Sequence, residues 1–188
     1  MTGRYRSPEP LTAGHDLTPF RCRSAEQTGW LRQHARQSAA AGSTRVFVAT
    51  APDDPRVVAY YAWCMASLSV GAAPPRLRKG GGRYPQPVAL LARLGVDHAH
   101  EGRGLGAALL QDVVARLLEL SEEIGCRALL IHAEDDEARS FYEHLVPELE
   151  RSSPSAGIPR EYGLPAVTAT VPAGGRGLLR SDLGAPGR

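Results

Sequence analysis

The chain has 188 residues, 43% of them hydrophobic, and its net charge of +2 hides a division: residues 1–93 carry 13 Lys/Arg against 5 Asp/Glu (net +8), and residues 94–150 carry 4 against 13 (net −9). Length and composition suit one soluble domain with a sizeable core. Three widely spaced cysteines, Cys22, Cys64 and Cys126, outline neither a disulfide framework nor a zinc site; no run approaches the roughly 20 apolar residues of a membrane span, and no apolar stretch follows a basic start as in a signal peptide, so a cytoplasmic protein is expected.

Residues 1–14 contain prolines and no periodicity and are expected as a flexible leader. Leu17–Cys22 is a candidate short strand. Ser24 with Gln27 makes a capping pair for a helix that carries Trp30, Leu31 and Ala35 on one face. Arg45–Thr50 alternates as a strand does, Pro52-Asp53-Asp54-Pro55 is a turn, and Arg56–Met65 is rich in β-formers. Residues 71–87, dense in Pro, Gly and basic side chains, read as a loop before a strand over Pro87–Val96. A helix follows, with Leu105, Leu109, Val113, Leu117, Leu120 and Ile124 in one apolar stripe and Gly125 to end it. Arg127–Ala133 reads as a buried strand, and Asp135 caps a helix over 137–145 that turns Ala138, Phe141, Tyr142 and Leu145 inward and ends at Pro147. Residues 151–188 are Gly/Pro-rich and expected mostly without structure, 166–171 being the candidate for a short closing strand. The order predicts an α/β fold, a mixed β-sheet flanked by helices in a single domain over residues 15–150.

The chemistry concentrates where the strand ending at Val96 passes through Gly102-Arg103-Gly104-Leu105-Gly106 into a helix. The first turn of a helix leaves backbone N–H groups without intrahelical partners, and its dipole adds positive charge there. Glycines let an anion approach that backbone, so a phosphate-bearing cofactor is the first expectation. The spacing Gly102-x-Gly104-x-x-Ala107 loosely fits a dinucleotide fingerprint, but it sits past mid-chain rather than at a domain's first strand, and no Gly-Lys-Ser/Thr completes a P-loop.

The stretch from Val96 to Gly106, VDHAHEGRGLG, resembles the acetyl-CoA signature of the GNAT N-acetyltransferases: a strand ending in Val-Asp, then Gln/Arg-x-x-Gly-x-Gly/Ala, then a helix. Glu101 departs from it, standing where the family has Gln or Arg; a carboxylate there is unfavourable beside a pyrophosphate unless it faces solvent. The resemblance implies a GNAT-like fold, backbone contacts from Leu94, Gly95 and Val96 to pantetheine and the acetyl oxygen, and a pyrophosphate cradle of Arg103, Gly104, Leu105, Gly106 and Ala107. The string Ala138-Arg139-Ser140-Phe141-Tyr142-Glu143 resembles the family's Ala-x-x-Phe-Tyr motif. It implies that Phe141 borders the cofactor and that Tyr142 is the general acid for the departing thiolate; a phenol with a pKa of about 10 keeps its proton at neutral pH. Read alone, Tyr142 is better explained as a core-facing aromatic of an amphipathic helix. His132 and Glu134 are candidates for a base, and His98 and His100 lack a third metal ligand, so no metal is expected.

Further segments, Phe20-Arg21-Cys22, Val46-Phe47-Val48-Ala49, Val58-Ala59-Tyr60-Tyr61 and above all the run from Leu90 to Asp97, LLARLGVD, resemble the GNAT toxins of type II toxin–antitoxin pairs over about residues 18–145. That resemblance implies acetylation of the α-amine of aminoacyl-tRNA, a block on translation, a small ribbon-helix-helix antitoxin as partner, and an RNA-facing basic surface; a homodimer is also allowed. Arg76, Arg78, Lys79 and Arg83, with Arg93, are the candidate phosphate contacts. Two alternatives stand beside it: acetylation of a small amine or a protein N-terminus, and a non-catalytic remnant that only binds an antitoxin.

Overall fold

The computed structural model describes residues 4–79, 83–146, 150–151 and 166–170. Side-chain caps start two of the five helices among the described residues. The Ser24 hydroxyl accepts from the Gln27 N–H at 3.1 Å and starts α1 (Ala25–Gln33), and α2 (Ala35–Ala40) follows directly. Both are amphipathic: Leu31 and Ala35 are fully buried. A single turn, α3 (Pro75–Arg78), is followed by the long α4 (Leu105–Ile124) and by α5 (Asp136–Leu145), whose N-terminus is capped by the Asp135 carboxylate accepting from the Ala138 N–H at 2.7 Å.

Seven strands lie among the described residues: β1 (Glu9–Pro10), β2 (Arg45–Thr50), β3 (Val57–Leu68), β4 (Gln86–Val96), β5 (Ala128–His132), β6 (Glu150–Arg151) and β7 (Ala166–Thr170). They form one sheet in the order β1-β2-β3-β4-β5-β7-β6. β1–β2, β2–β3, β5–β7 and β6–β7 are antiparallel. The Arg127 N–H at the start of β5 donates to the Pro87 carbonyl at the start of β4 at 3.0 Å, so these neighbours start at the same end and run parallel, as a crossover through one helix requires. The mixed sheet is thereby accounted for.

The chain divides into two units, Met1–Cys64 with Leu91–Val113 and Met65–Leu90 with Val114–Arg188; β3, β4 and α4 contribute to both. Within the first unit the period-2 alternation of β2 and β3 sorts side chains onto two faces. Val46, Val48, Tyr60 and Ala62 join Leu31 and Ala35 in a core that also takes Leu17, Phe20 and Cys22. On the other face Phe47 stacks on Tyr61, centroids 5.1 Å apart, and the Tyr61 hydroxyl donates to Asp112 of α4 at 2.6 Å. Within the second unit, Leu68, Leu77, Leu117, Leu129 and Leu130 are all fully or nearly fully buried.

Three expectations are corrected. Residues 4–14 are no loose leader: Arg6 N–H bonds the Thr50 carbonyl and Leu11 N–H the Val46 carbonyl, each at 2.9 Å, so β1 extends the sheet edge despite its proline, a residue tolerated on edge strands. Leu17–Cys22 is not a strand, because Phe20 N–H turns back onto the Leu17 carbonyl; its apolar side chains are buried without a ladder. Residues 71–87 carry α3, with Leu77 buried and Arg76 and Arg78 exposed. The stripe of α4 also becomes shallow at its end, where Leu120 and Ile124 are exposed. Pro147 and most of the tail lie outside the described residues, whereas residues 166–170 pair with β5.

Candidate active site

The first unit holds the glycine turn. Asp97, just past β4, organises the entry to it: one carboxylate oxygen accepts the Ala99 N–H at 3.0 Å and starts a 3₁₀ turn over His98–His100, and the other accepts the Arg21 N–H at 2.8 Å. Its own N–H donates to the Val58 carbonyl at 2.8 Å. The aspartate of the motif therefore fixes where the turn begins. The Glu101 carboxylate lies 3.1 Å from His98 Nδ1.

Gly102 and Gly104 have φ of +69° and +76°, a left-handed conformation that side chains with a Cβ disfavour. Nothing outside the adjoining residues lies within 4 Å of where a Cβ would stand at either position, so packing does not demand glycine there; the left-handed backbone does. The Ala108 N–H bonds the Gly104 carbonyl at 3.0 Å, which makes Gly104 the helix cap. The first turn of α4, with Leu105 buried and Gly106 and Ala107 half-buried, contains no acidic residue. Arg103 adds an exposed guanidinium beside it.

Of the strand residues, Leu94 and Val96 are half-buried and Gly95 is buried. Gly95 has a packing reason to be glycine: a Cβ would stand 2.9 Å from Tyr60 Cε1 and 3.4 Å from Cys22 Sγ. Arg93 does not share the setting of the basic loop. Its guanidinium pairs with Glu26 at 2.8 Å and lies 5.5 Å from the centroid of the Trp30 ring, with the side chain 11% exposed. Its charge is paired with Glu26 of α1, whereas the other four candidate phosphate contacts are exposed.

The second unit holds Tyr142, buried on α5, with Phe141 beside it, exposed and edge-on to the tyrosine ring at 5.2 Å. Burial, and secondarily the charge of Glu134, push the Tyr142 phenol well above the ordinary phenol range. Such a group is protonated throughout the neutral range, as a proton donor must be. His132 and Glu134 are half-buried at the end of β5. Arg76, Arg78, Lys79 and Arg83 are exposed. Arg127, a residue the sequence did not single out, holds their loop: its guanidinium donates to the carbonyls of Leu77 at 3.2 Å and Lys79 at 3.3 Å and to the Gln86 side chain, while Gln86 donates to the Tyr84 carbonyl at 2.7 Å. An arginine at the head of a buried strand was the sole sequence signal for this. Burial also pushes the thiols of Cys64 and Cys126 up, away from the reactive thiolate.

The acetyltransferase (GNAT) family model matches residues 19–145. The chain belongs to this family. It is an N-acetyltransferase, with acetyl-CoA as its cofactor. It is 38% identical over 154 residues to a tRNA-acetylating toxin of Mycobacterium tuberculosis, across 82% of this chain and 90% of that protein. Among solved structures, AtaT complexed with acetyl-methionyl-tRNAfMet superposes with a TM-score of 0.76 at 20% identity, covering 89% of this chain and 95% of that one. A mutant AtaT bound to the C-terminus of the antitoxin AtaR and acetyl-CoA gives 0.67 at 21%, covering 88% and 92%. These two likenesses concern the fold. The family's cofactor fits the residues present: an open glycine backbone at a helix start, no acid in the first helical turn, and a guanidinium beside it. Among the described residues no helix is long and apolar enough to cross a membrane.

Proposed function

We propose that this acetyltransferase is a toxin that acetylates the α-amine of aminoacyl-tRNA and thereby stops translation. The observation that carries the reading is the 38% identity to a tRNA-acetylating toxin across 82% of this chain and 90% of that protein. The exposed basic loop of Arg76, Arg78, Lys79 and Arg83, held in place by Arg127, supports it. Cationic side chains release counterions from an RNA backbone and so bind it without reading its sequence.

Bound acetyl-CoA supplies an acetyl thioester, from which an attacking amine forms an amide with release of the CoA thiol. The chain's residues divide the remaining work. The backbone of Leu94, Gly95 and Val96 orients the pantetheine arm and the acetyl carbonyl. The first-turn N–H groups of α4, with Arg103, Gly104, Leu105, Gly106 and Ala107, take the pyrophosphate, and Phe141 borders the cofactor. Tyr142 holds a proton at its phenol oxygen for the leaving sulfur. The α-amine of an aminoacyl ester is less basic than an ordinary amine, so it attacks with little help from a base; His132 and Glu134 are the groups available if one is used.

The same reading makes a small ribbon-helix-helix antitoxin the neutralising partner and the cytoplasm the place of action, where charged tRNA is found, and it allows a homodimer. The solved complex of AtaT with the antitoxin AtaR supports an antitoxin partner by likeness of fold. The test is direct: incubate the purified protein with radiolabelled acetyl-CoA and a mixed aminoacyl-tRNA pool, and look for label on the aminoacyl moiety. Label there, and absent from uncharged tRNA, is the expected result. Label only on small amines or protein N-termini overturns the reading, as does absence of any transfer.

A further inference from the structure

The stretch before β1 makes a contact at the glycine turn that no motif announces. The Tyr5 hydroxyl lies 2.9 Å from Arg103 Nη1 and 2.9 Å from His100 Nδ1, and the Tyr5 and His100 rings meet edge-on with centroids 5.6 Å apart. The guanidinium has only protons to give, so the phenol oxygen accepts from Arg103. The phenol's own proton is then available to His100 Nδ1. Three side chains from three segments, the N-terminal stretch, the 3₁₀ turn and the glycine turn, converge on one hydroxyl. Tyr5 is itself fixed: the next residue, Arg6, bonds the Thr50 carbonyl through its N–H at 2.9 Å, Pro8 is buried, and β1 pairs with β2.

Arg103 is otherwise an exposed side chain with several rotatable bonds. An arginine of that kind loses rotamer freedom when it meets a phosphate, and the loss weakens binding. One held beforehand by a neutral hydroxyl keeps its full charge and most of its N–H groups for the anion. We propose that Tyr5 is a positioning residue of the acetyl-CoA site, orienting the Arg103 guanidinium toward a cofactor phosphate, so that the stretch before β1 is part of the binding machinery. This rests on the assignment of the glycine turn, with Arg103, as the phosphate site.

The experiment is a double-mutant cycle on the full chain, read by calorimetric acetyl-CoA affinity and by KM and kcat. Tyr5→Phe keeps the ring on His100 and removes the hydroxyl. It should raise the Kd for acetyl-CoA about 3- to 10-fold, the scale of one side chain's ordering. KM for acetyl-CoA should rise with it while kcat holds. In the Arg103→Ala background the same change should have no effect on Kd. A purely structural role for Tyr5 predicts instead a lowered Tm and a Kd change of the same size in both backgrounds, and that result overturns the proposal. If Arg103→Ala weakens binding but Tyr5→Phe does not, the role of Tyr5 alone fails. If Arg103→Ala binds acetyl-CoA as the parent does, the phosphate-site assignment of Arg103 fails and the role of Tyr5 falls with it.

Discussion

Removing one oxygen, Tyr142→Phe, separates a catalytic from a packing role for the buried tyrosine of α5. The ring sits with only 6% of its surface exposed, so the phenylalanine occupies the same volume and leaves no cavity. Burial and the nearby Glu134 charge already favour the neutral phenol over the phenolate. The hydroxyl thus holds its proton across the working range, and the fold gains nothing from ionising it. Stability should change little, within about 1 kcal/mol, the net worth of an ordinary hydrogen bond. The rate should behave differently. A positioned general acid contributes about 100- to 10,000-fold, which corresponds to about 2.7–5.5 kcal/mol on the barrier. Single-turnover acetylation at saturating acetyl-CoA measures the chemical step, calorimetry checks that acetyl-CoA affinity is retained, and a thermal melt checks the fold. The raised phenol pKa also sets the alkaline limb of the parent: Tyr142 should impose no loss of rate until well above pH 10. Full single-turnover activity in the variant would refute the reasoning and return Tyr142 to the core.

Gly95→Ala should destabilise by about 1–3 kcal/mol, because the new methyl would meet Tyr60 Cε1 at 2.9 Å. Tyr60 cannot yield, being fully buried, stacked on Trp30 and bonded through its hydroxyl to the Gln27 carbonyl at 2.9 Å; an unchanged melting temperature would dismiss the clash. Neutralising Arg78, Lys79 and Arg83 together should weaken tRNA binding and flatten its salt dependence, by roughly one counterion for each lost contact, with acetyl-CoA affinity unmoved. Identical tRNA binding at every salt concentration would place the RNA surface elsewhere. The Asp54 carboxyl, held by hydrogen bonds from Arg56, should titrate at about 2 by NMR. A carboxyl lowered in the folded state favours folding above its unfolded pKa and loses that contribution as pH falls through its folded one; Arg56→Gln should return the midpoint toward 3.8, and an unmoved midpoint would remove Arg56 as the cause.

What was legible in the sequence is what is decided locally. The Ser24 and Asp135 caps, the β-rich run Arg45–Thr50 and the glycine turn each depend on a few consecutive residues, and each appears where its local chemistry puts it. What was illegible depends on partners far along the chain. β1 exists because β2 offers it an edge, and no pattern within residues 4–14 encodes that edge. Arg93 reads as a free cation until Glu26 and Trp30, more than sixty residues earlier, are folded against it. Arg127 reads as the polar start of a strand until the carbonyls of Leu77 and Lys79 close on it.

These long-range pairs bear directly on the charge division. A count by segment puts Arg78 and Arg93 together in the basic half and Arg127 in the acidic stretch, yet the structure sorts all three by partner instead. Arg93 is neutralised by a carboxylate, so it adds little field at a distance. Arg127 donates to carbonyls and an amide, so its charge stays whole while its geometry is fixed, and it supports the loop rather than facing solvent. Arg78, between the two bonded carbonyls, and Lys79, which supplies one of them, keep their side chains exposed. The part of the basic half able to meet a polyanion is therefore smaller than the +8 of residues 1–93 suggests, and it includes a short, anchored stretch around α3. If that stretch carries the RNA contact, Arg127→Gln should weaken tRNA binding more than the loss of one unit of charge does, because it releases the loop as well. Arg45→Gln, which removes an exposed charge outside the loop, is the matched control. Equal losses in tRNA affinity for the two variants, at matched salt, would show that charge alone matters and that the anchoring of α3 does not.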